Sequence, residues 1–522
     1  MSRAIQQLSR RQLLQLVASS GLAAVVRRPR QRVHRPMSIP SEARRARKPI
    51  PWSQLEARLT GRLSRPGAPT YPVDHQLYNP EFDRVRPQAI AFCANADDVA
   101  RSVLFAREHG LPATPRSGRH SYAGYSTTGG LVIDLSRMSS VKTSGARATV
   151  GPGAQLIDIY TKLARRGVAV PAGSCPTVGI GGLALGGGIG VMDRLHGLTC
   201  DVLTGLQMVT ASGEVVQADA RTNPELYWAC RGGGGGNFGI VTELRFSTFA
   251  TADVTLFGMD WPWAAASQVL PAWLEWASAA PDEMWSNCFL QARPGEAEPS
   301  VRVEGVWSGA LASARGALAR LASTVGRPSS QALGQNTFVD AMYIEAGCRG
   351  LAEAACHIRG QYPGGTLGRL VTVAKSDILD RSLTGPGVQA FLAGIEERQH
   401  QRAAGMAVLD SWGGAINRVP ADATAFVHRK ALASAQYVVF LPPGVPKSQL
   451  QQAQRWMGGW YAALRPYVSG EAYQNYIDPA LANWAQAYYG ANLAKLQKVK
   501  AKWDPDDFFH FAQSIPLPGR QG

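Results

Sequence analysis

Apolar and polar positions alternate in short blocks along most of the chain, and the period changes from block to block. Ala89 to Ala94 is an apolar run of strand length, which predicts a buried strand. Asn95 follows it and can cap a helix, with Asp97 and Asp98 in the first turn and Gly110 at the end. Leu131 to Leu135 predicts a second strand, and Ala154 to Arg166 a second helix closed by Gly167. Gln207 to Gln217 predicts a hairpin turning at Ser212-Gly213. Helical patterns return near 263–279 and 309–325. Long helical stretches follow from about Ser448, including Pro479 to Lys502. Strands and helices therefore alternate, as in an α+β or α/β fold, with no internal repeat.

Composition narrows the class. The chain has 522 residues, 45% apolar and 18% charged, which is globular. No uninterrupted apolar run reaches about 18 residues, so the sequence predicts no membrane span. Seven cysteines are too few and too scattered for a disulfide scaffold. The net charge of +16 suggests nucleic acid until it is located. Twelve basic residues and one acid, Glu42, lie in the first 48 positions. The remainder carries little excess charge, so no nucleic-acid partner is expected. Ser9-Arg10-Arg11-Gln12-Leu13-Leu14, followed by weakly apolar residues to Val26, resembles a twin-arginine export signal. That predicts a periplasmic or extracellular protein handled by the Tat machinery. Arg27-Arg28-Pro29-Arg30 and the lack of a clear Ala-x-Ala site depart from the pattern, and a basic disordered tail is the alternative. Signal and linker together span 1–50.

Three glycine-rich segments carry the candidate chemistry. Arg116-Ser117-Gly118-Arg119-His120-Ser121-Tyr122-Ala123-Gly124 can converge backbone N–H groups on an anion, with His120 at the edge. Gly173-Ser174-Cys175-Pro176-Thr177-Val178-Gly179-Ile180-Gly181-Gly182 runs on to Gly186-Gly187-Gly188-Ile189-Gly190. Backbone bared in this way admits something flat or phosphorylated. Gly179-x-Gly181-x-x-Ala184 has the form of a dinucleotide fingerprint. Pro171 and Pro176 spoil the strand it needs, and the glycine run spoils the helix. No Gly-Lys-Ser/Thr follows, so it is no Walker loop. Arg231 leads into Gly232 to Gly236, then Asn237-Phe238-Gly239-Ile240-Val241, a loop at a strand entrance. No metal-ligand cluster is present, so no metal is expected.

Taken in order, these segments resemble the FAD-linked oxidases of the vanillyl-alcohol oxidase fold, nearest to the berberine-bridge-enzyme-like and oligosaccharide oxidase branch. Tyr473-Gln474-Asn475-Tyr476-Ile477-Asp478, Trp484, Tyr488-Tyr489-Gly490-x-Asn492 and Asp504-Pro505-x-x-Phe508 to Gln513-Ser514-Ile515 are similar to its closing signature. Gly413-Gly414-Ala415 through His428-Arg429 matches a further stretch. The resemblance covers about 75 to 517. It implies an α+β fold: a PCMH-type FAD-binding domain over 75–250, a substrate domain of antiparallel sheet and helices over 251–445, and a C-terminal segment, 446–517, returning to the first.

It also implies roles. His120 is similar to the histidine joined to the flavin 8α-methyl, and Cys175 to the cysteine joined through sulfur to C6, giving bicovalent FAD. The glycines of the three segments, with Arg116, Ser117, Arg119, Ser121, Asn237, Ile240, Val241 and Asn475, are expected to cradle it. Tyr476 matches the family's catalytic base, taking the hydroxyl proton as hydride leaves for flavin N5. Tyr473, Asp410 and His428 are candidate helpers. Val178 resembles the residue that gates oxygen, and valine goes with oxidases, so O2 is the expected acceptor and H2O2 the product. An alcohol or sugar is the expected substrate. Three alternatives stay open: a dehydrogenase with another acceptor, an oxidative cyclase or amine oxidase of secondary metabolism, and a flavin-binding protein without turnover. Cys348 and Cys356 could close a disulfide in an exported chain, which spacing alone does not decide.

Overall fold

The computed structural model describes residues 49–520. The twin-arginine-like segment lies outside the described residues. Among the described residues, no helix is long and apolar enough to cross a membrane.

Three main sheets organise the chain. The first has four strands in the order Arg62–Ser64, Ala89–Phe92, Leu131–Asp134, Ala113–Arg116, the last three mutually parallel. The second has five antiparallel strands in the order Val141–Ser144, Arg147–Val150, Ile240–Ser247, Leu203–Val209, Val215–Asp219. The third is a seven-stranded antiparallel sheet in the order Ser330–Asn336, Val254–Trp261, Ser300–Trp307, Met284–Ala292, Gly405–Ser411, Ala433–Leu441, Val371–Leu379. Parallel strands buried on both faces read as apolar runs, which is why Ala89–Phe92 and Leu131–Asp134 were visible in the sequence. The helix Ala96–Glu108 begins at Asn95, whose side chain accepts from the Asp98 N–H. The hairpin between Leu203–Val209 and Val215–Asp219 turns through Gly213 at φ +82°.

Two helical expectations need correction. The second helix is shorter than its pattern, Leu156–Ala164, and the chain leaves it through Gly167 at φ +71°. The stretch Pro479 to Lys502 is two helices, Trp484–Tyr489 and Leu493–Trp503. Gly490, at φ +47°, ends the first of them, because a left-handed residue cannot continue a helix.

The large sheet is two-faced. Ala407, Leu409, Ala435, Tyr437 and Val439 point into the main core beside helices Ala266–Ser278, Gly385–His400 and Lys447–Leu464. The intervening residues face the other way, toward the glycine-rich loops. The C-terminal segment is locked onto those loops by a fully buried lysine. Lys500 Nζ donates to the Asn237 and Phe509 carbonyls at 2.9 and 2.8 Å and to the Asp504 carboxylate at 2.7 Å. Asn237 Oδ1 in turn accepts from the Ile515 N–H. A buried ammonium is tolerable only when its donors are satisfied in this way.

Candidate functional site

The site begins where the strand Ala113–Arg116 ends. Arg116 is fully buried. Its Nε donates to Asp134 at 2.6 Å and its Nη2 to the Asp74 carbonyl at 2.7 Å. Arg119, at φ +66°, directs its guanidinium to Asp134 at 3.6 Å and toward the Val73 and Gln76 carbonyls. Burial alone would raise the Asp134 carboxyl, but the Arg116 and Arg119 charges and the Ser136 hydrogen bonds hold it below the usual carboxylate range. Both arginines thus anchor the loop from inside. Ser117, Gly118, Arg119, His120 and Ser121 border a cavity, and Arg116 does not.

The second loop meets the first through bare backbone. A Cβ on Gly118 would stand 2.0 Å from the Gly179 nitrogen. A Cβ on Gly179 would stand 2.0 Å from Ser117 Oγ and 2.3 Å from the Gly118 nitrogen. Ser117 Oγ and the Gly181 N–H both donate to the Pro152 carbonyl. The helix Leu156–Ala164 contributes two N–H groups of its first turn, which have no partner within a helix. Leu156 N–H donates to Val178 O at 3.0 Å, and Ile157 N–H to Pro176 O at 3.1 Å. Cys175, Thr177, Val178 and Gly179 are therefore held on a helix end. Cys175 is exposed at the cavity. His120 Nε2 lies 2.8 Å from Thr177 Oγ1, and its ring stacks on Tyr78 at 4.2 Å. Thr177 and Tyr78 were not singled out from sequence, although Thr177 stands inside the cysteine motif.

The other expected residues divide into those at the cavity and those behind it. Gly181, Gly182, Gly190, Gly236, Gly239, Ile240, Val241 and Asn475 border it. Gly124, Gly186, Gly187, Gly188 and Asn237 do not. Gly124 packs on Phe82, Gly187 on Phe426, Gly188 on Thr199, and Gly186 leaves room for the Asn475 amide. Asn237 is buried, donating to Gly233 O at 3.0 Å. A Cβ added to Gly182 would meet no protein atom within 4 Å, so the lining there is open.

The returning segment supplies the tyrosines. Tyr473 is buried, and burial pushes its phenol well above the ordinary value. Its hydroxyl accepts from the Gly188 N–H and from Asn475 Nδ2, both at 2.8 Å. Tyr476 borders the cavity, edge-on to Tyr473 at 4.9 Å and stacked on Tyr122 at 5.7 Å. Gln436 donates to the Tyr122 hydroxyl at 2.9 Å. Asp410 also borders the cavity. His428 lies behind, with Nδ1 2.7 Å from Glu471 Oε2 and its ring against Phe426. Gln436, Trp285 and Phe440 border the cavity but were missed in the sequence reading; strand alternation would have marked Gln436 and Phe440 as sharing a face. Cys348 and Cys356 are both buried in one small cluster with Ile157, Ala346, Ile358 and Leu367. Among the described residues no group of His, Cys, Asp and Glu could hold a metal ion.

Residues 87–219 match the FAD binding domain family, and residues 472–516 the berberine and berberine-like family. The FAD-linked oxidoreductase YgaK of Bacillus subtilis is 32% identical over 472 residues, covering 88% of this chain and 98% of that protein. The chitooligosaccharide oxidase of Gibberella zeae is 31% identical over 470 residues, covering 86% and 91%. The structure of Physcomitrella patens BBE-like 1 superposes with a TM-score of 0.81 at 29% identity, covering 90% and 99%.

Two glycine substitutions separate loop geometry from ligand contact. Gly118→Ala pushes backbone against backbone, and we expect a loss of about 1–3 kcal/mol in urea unfolding. Gly182→Ala meets no protein atom, so its stability should stay within about 0.5 kcal/mol of the parent. Its FAD content per chain, read by visible absorbance after purification, should fall.

Proposed function

Because the chain belongs to the berberine-bridge-enzyme-like FAD-linked oxidoreductases, we propose that it oxidises the carbinol carbon of an alcohol or sugar, with FAD held covalently through both His120 and Cys175 and O2 as the final acceptor. One observation carries this reading: His120, Cys175 and Tyr476 border a single cavity with a bare glycine lining. That lining supports a planar group with a phosphorylated tail, and two nucleophilic side chains at its border support attachment to a ring edge. The chemistry FAD supplies when bound is two-electron acceptance, with the pair delivered onward to O2 to give H2O2. We read 75–250 with 446–517 as the cofactor part and 251–445 as the substrate part; the two matched families fall in the first.

The chain's own contribution is the proton. Hydride departs more easily from a carbon whose hydroxyl is losing its proton, and among the tyrosines bordering the cavity we assign Tyr476 to take that proton. Its reference pKa near 10 calls for help at neutral pH. Tyr473 stays a phenol because of its burial, so we assign it the positioning of Gly188 and Asn475. Val178 at the cavity supports O2 as acceptor. Export by the twin-arginine route belongs to the same reading and rests on Arg10-Arg11 and the apolar stretch after them.

Acid precipitation tests the attachment. The parent protein should give a yellow pellet, each of His120→Ala and Cys175→Ala should remain yellow, and only the double variant should release free FAD. A parent that releases all its FAD into the supernatant sinks the covalent reading. Tyr476→Phe should keep its flavin yet lose about 10²–10⁴-fold in kcat. A base works when deprotonated, so parent kcat/KM should rise with pH to a plateau, and the variant should lack that rise. Changing Arg10 and Arg11 to Lys should leave the protein in the cytoplasm, as fractionation would show.

A further inference from the structure

The cavity wall built by the seven-stranded sheet has a chemistry that narrows the substrate. We propose that the alcohol oxidised at this site carries its hydroxyl on an apolar, aromatic-sized body rather than on a sugar ring; the inference rests on the alcohol oxidation proposed above. In the strand Ala433–Leu441, Gln436, Val438 and Phe440 border the cavity, while Ala435, Tyr437 and Val439 belong to the main core. In its neighbour Gly405–Ser411, Met406 and Asp410 border the cavity. Met406 pairs with Val438 across the two strands, so the apolar side chains lie side by side. Phe289, Met406, Val408 and Val438 form a cluster of their own, with Phe440 and Ala374 packed on it. Of the sheet residues that border the cavity, Asp410 and Gln436 carry the carboxylate and amide groups; Asn287, Gln291, Thr372 and Ser376 share that sheet face without bordering the cavity. Gln436 holds the Tyr122 hydroxyl, and the Tyr122 ring stacks on Tyr476. The wall is thus polar where a hydroxyl would meet Tyr476 and apolar beyond it.

A sugar presents a hydroxyl on nearly every ring carbon. Each one buried against Met406, Val438 or Phe440 would lose its water partners and gain none, which costs affinity. An aromatic or alicyclic alcohol has the opposite balance. Its body gains by leaving water for the apolar wall, and its single hydroxyl finds the polar end. Phe440 is the half-buried member of the wall, so it is the residue whose replacement changes the lining with least disturbance to the core. Glu345, on the helix Phe338–Glu345 outside the sheet, is a further carboxylate at the cavity, and it leaves the character of the sheet wall unchanged.

The holoenzyme can be titrated anaerobically with benzyl alcohol, cinnamyl alcohol, glucose, xylobiose and cellobiose. Loss of visible flavin absorbance reads reduction, and thermal shift reads binding without turnover. The aryl alcohols should half-bleach the flavin and stabilise the protein at concentrations about tenfold or more below any sugar. Phe440→Asn and Val438→Asn should each raise the half-bleaching concentration of cinnamyl alcohol about tenfold. Should an asparagine variant fail to fold, the parent panel decides the substrate class alone. Sugars that bleach where aryl alcohols do not would overturn this inference and leave alcohol oxidation standing. A flavin that dithionite reduces but no member of either panel does would overturn both.

Discussion

The contact between Gly118 and Gly179 is the constraint on which the rest of the site depends. Two loops far apart in sequence touch through backbone atoms, at distances that no side chain could tolerate. Both loops share one acceptor, the Pro152 carbonyl, and the second also satisfies the first-turn donors of the helix Leu156–Ala164. Removing a Cβ from each loop therefore does more than loosen a turn. It lets the histidine of one loop reach the threonine of the other at 2.8 Å, beside the cysteine two residues earlier. Two side chains on separate loops need such a fixed separation if both are to meet one ligand.

Buried charges hold that geometry from behind. Arg116 and Asp134, both inaccessible, sit under the first loop. Lys500 ties the C-terminal helix Leu493–Trp503 to the Asn237 carbonyl under the third glycine loop. Such groups are costly to bury and still costlier to leave unpaired, so each removes alternative loop positions rather than adding much net stability. Tyr473 acts similarly as a neutral group. Its phenol, kept protonated by burial, takes hydrogen bonds from Gly188 and Asn475 and so joins the closing segment to the glycine field.

The large sheet completes the site by presenting different chemistry on its two faces. Tyr437 and its alternate neighbours face the helices, while Gln436, Val438 and Phe440 face the cavity. A slip of one residue would exchange the two sets. Which side chains border the cavity is therefore written in the register of Ala433–Leu441 against Gly405–Ser411 as much as in the residues themselves.

Much of this was legible in the chain, and the reason is locality. The strand Ala89–Phe92, the helix after Asn95 and the turn at Gly213 depend on apolar runs, a capping side chain and a left-handed glycine, each contained in a few residues. His120, Cys175, Tyr476 and the glycine segments around them were likewise legible, because their types and order carry the family resemblance. Direction was not legible. Arg116, Gly124, Gly186, Gly187, Gly188 and Asn237 share those segments yet lie behind the cavity, and His428 stands a layer away beside Glu471. Trp285, Gln436 and Phe440 reach the cavity from strands that no motif marks. By itself the sequence determined the local elements, the loops that meet at the cavity and the family. Only the tertiary structure decided which side chains face the ligand, because that depends on strand register and on contacts between residues hundreds of positions apart.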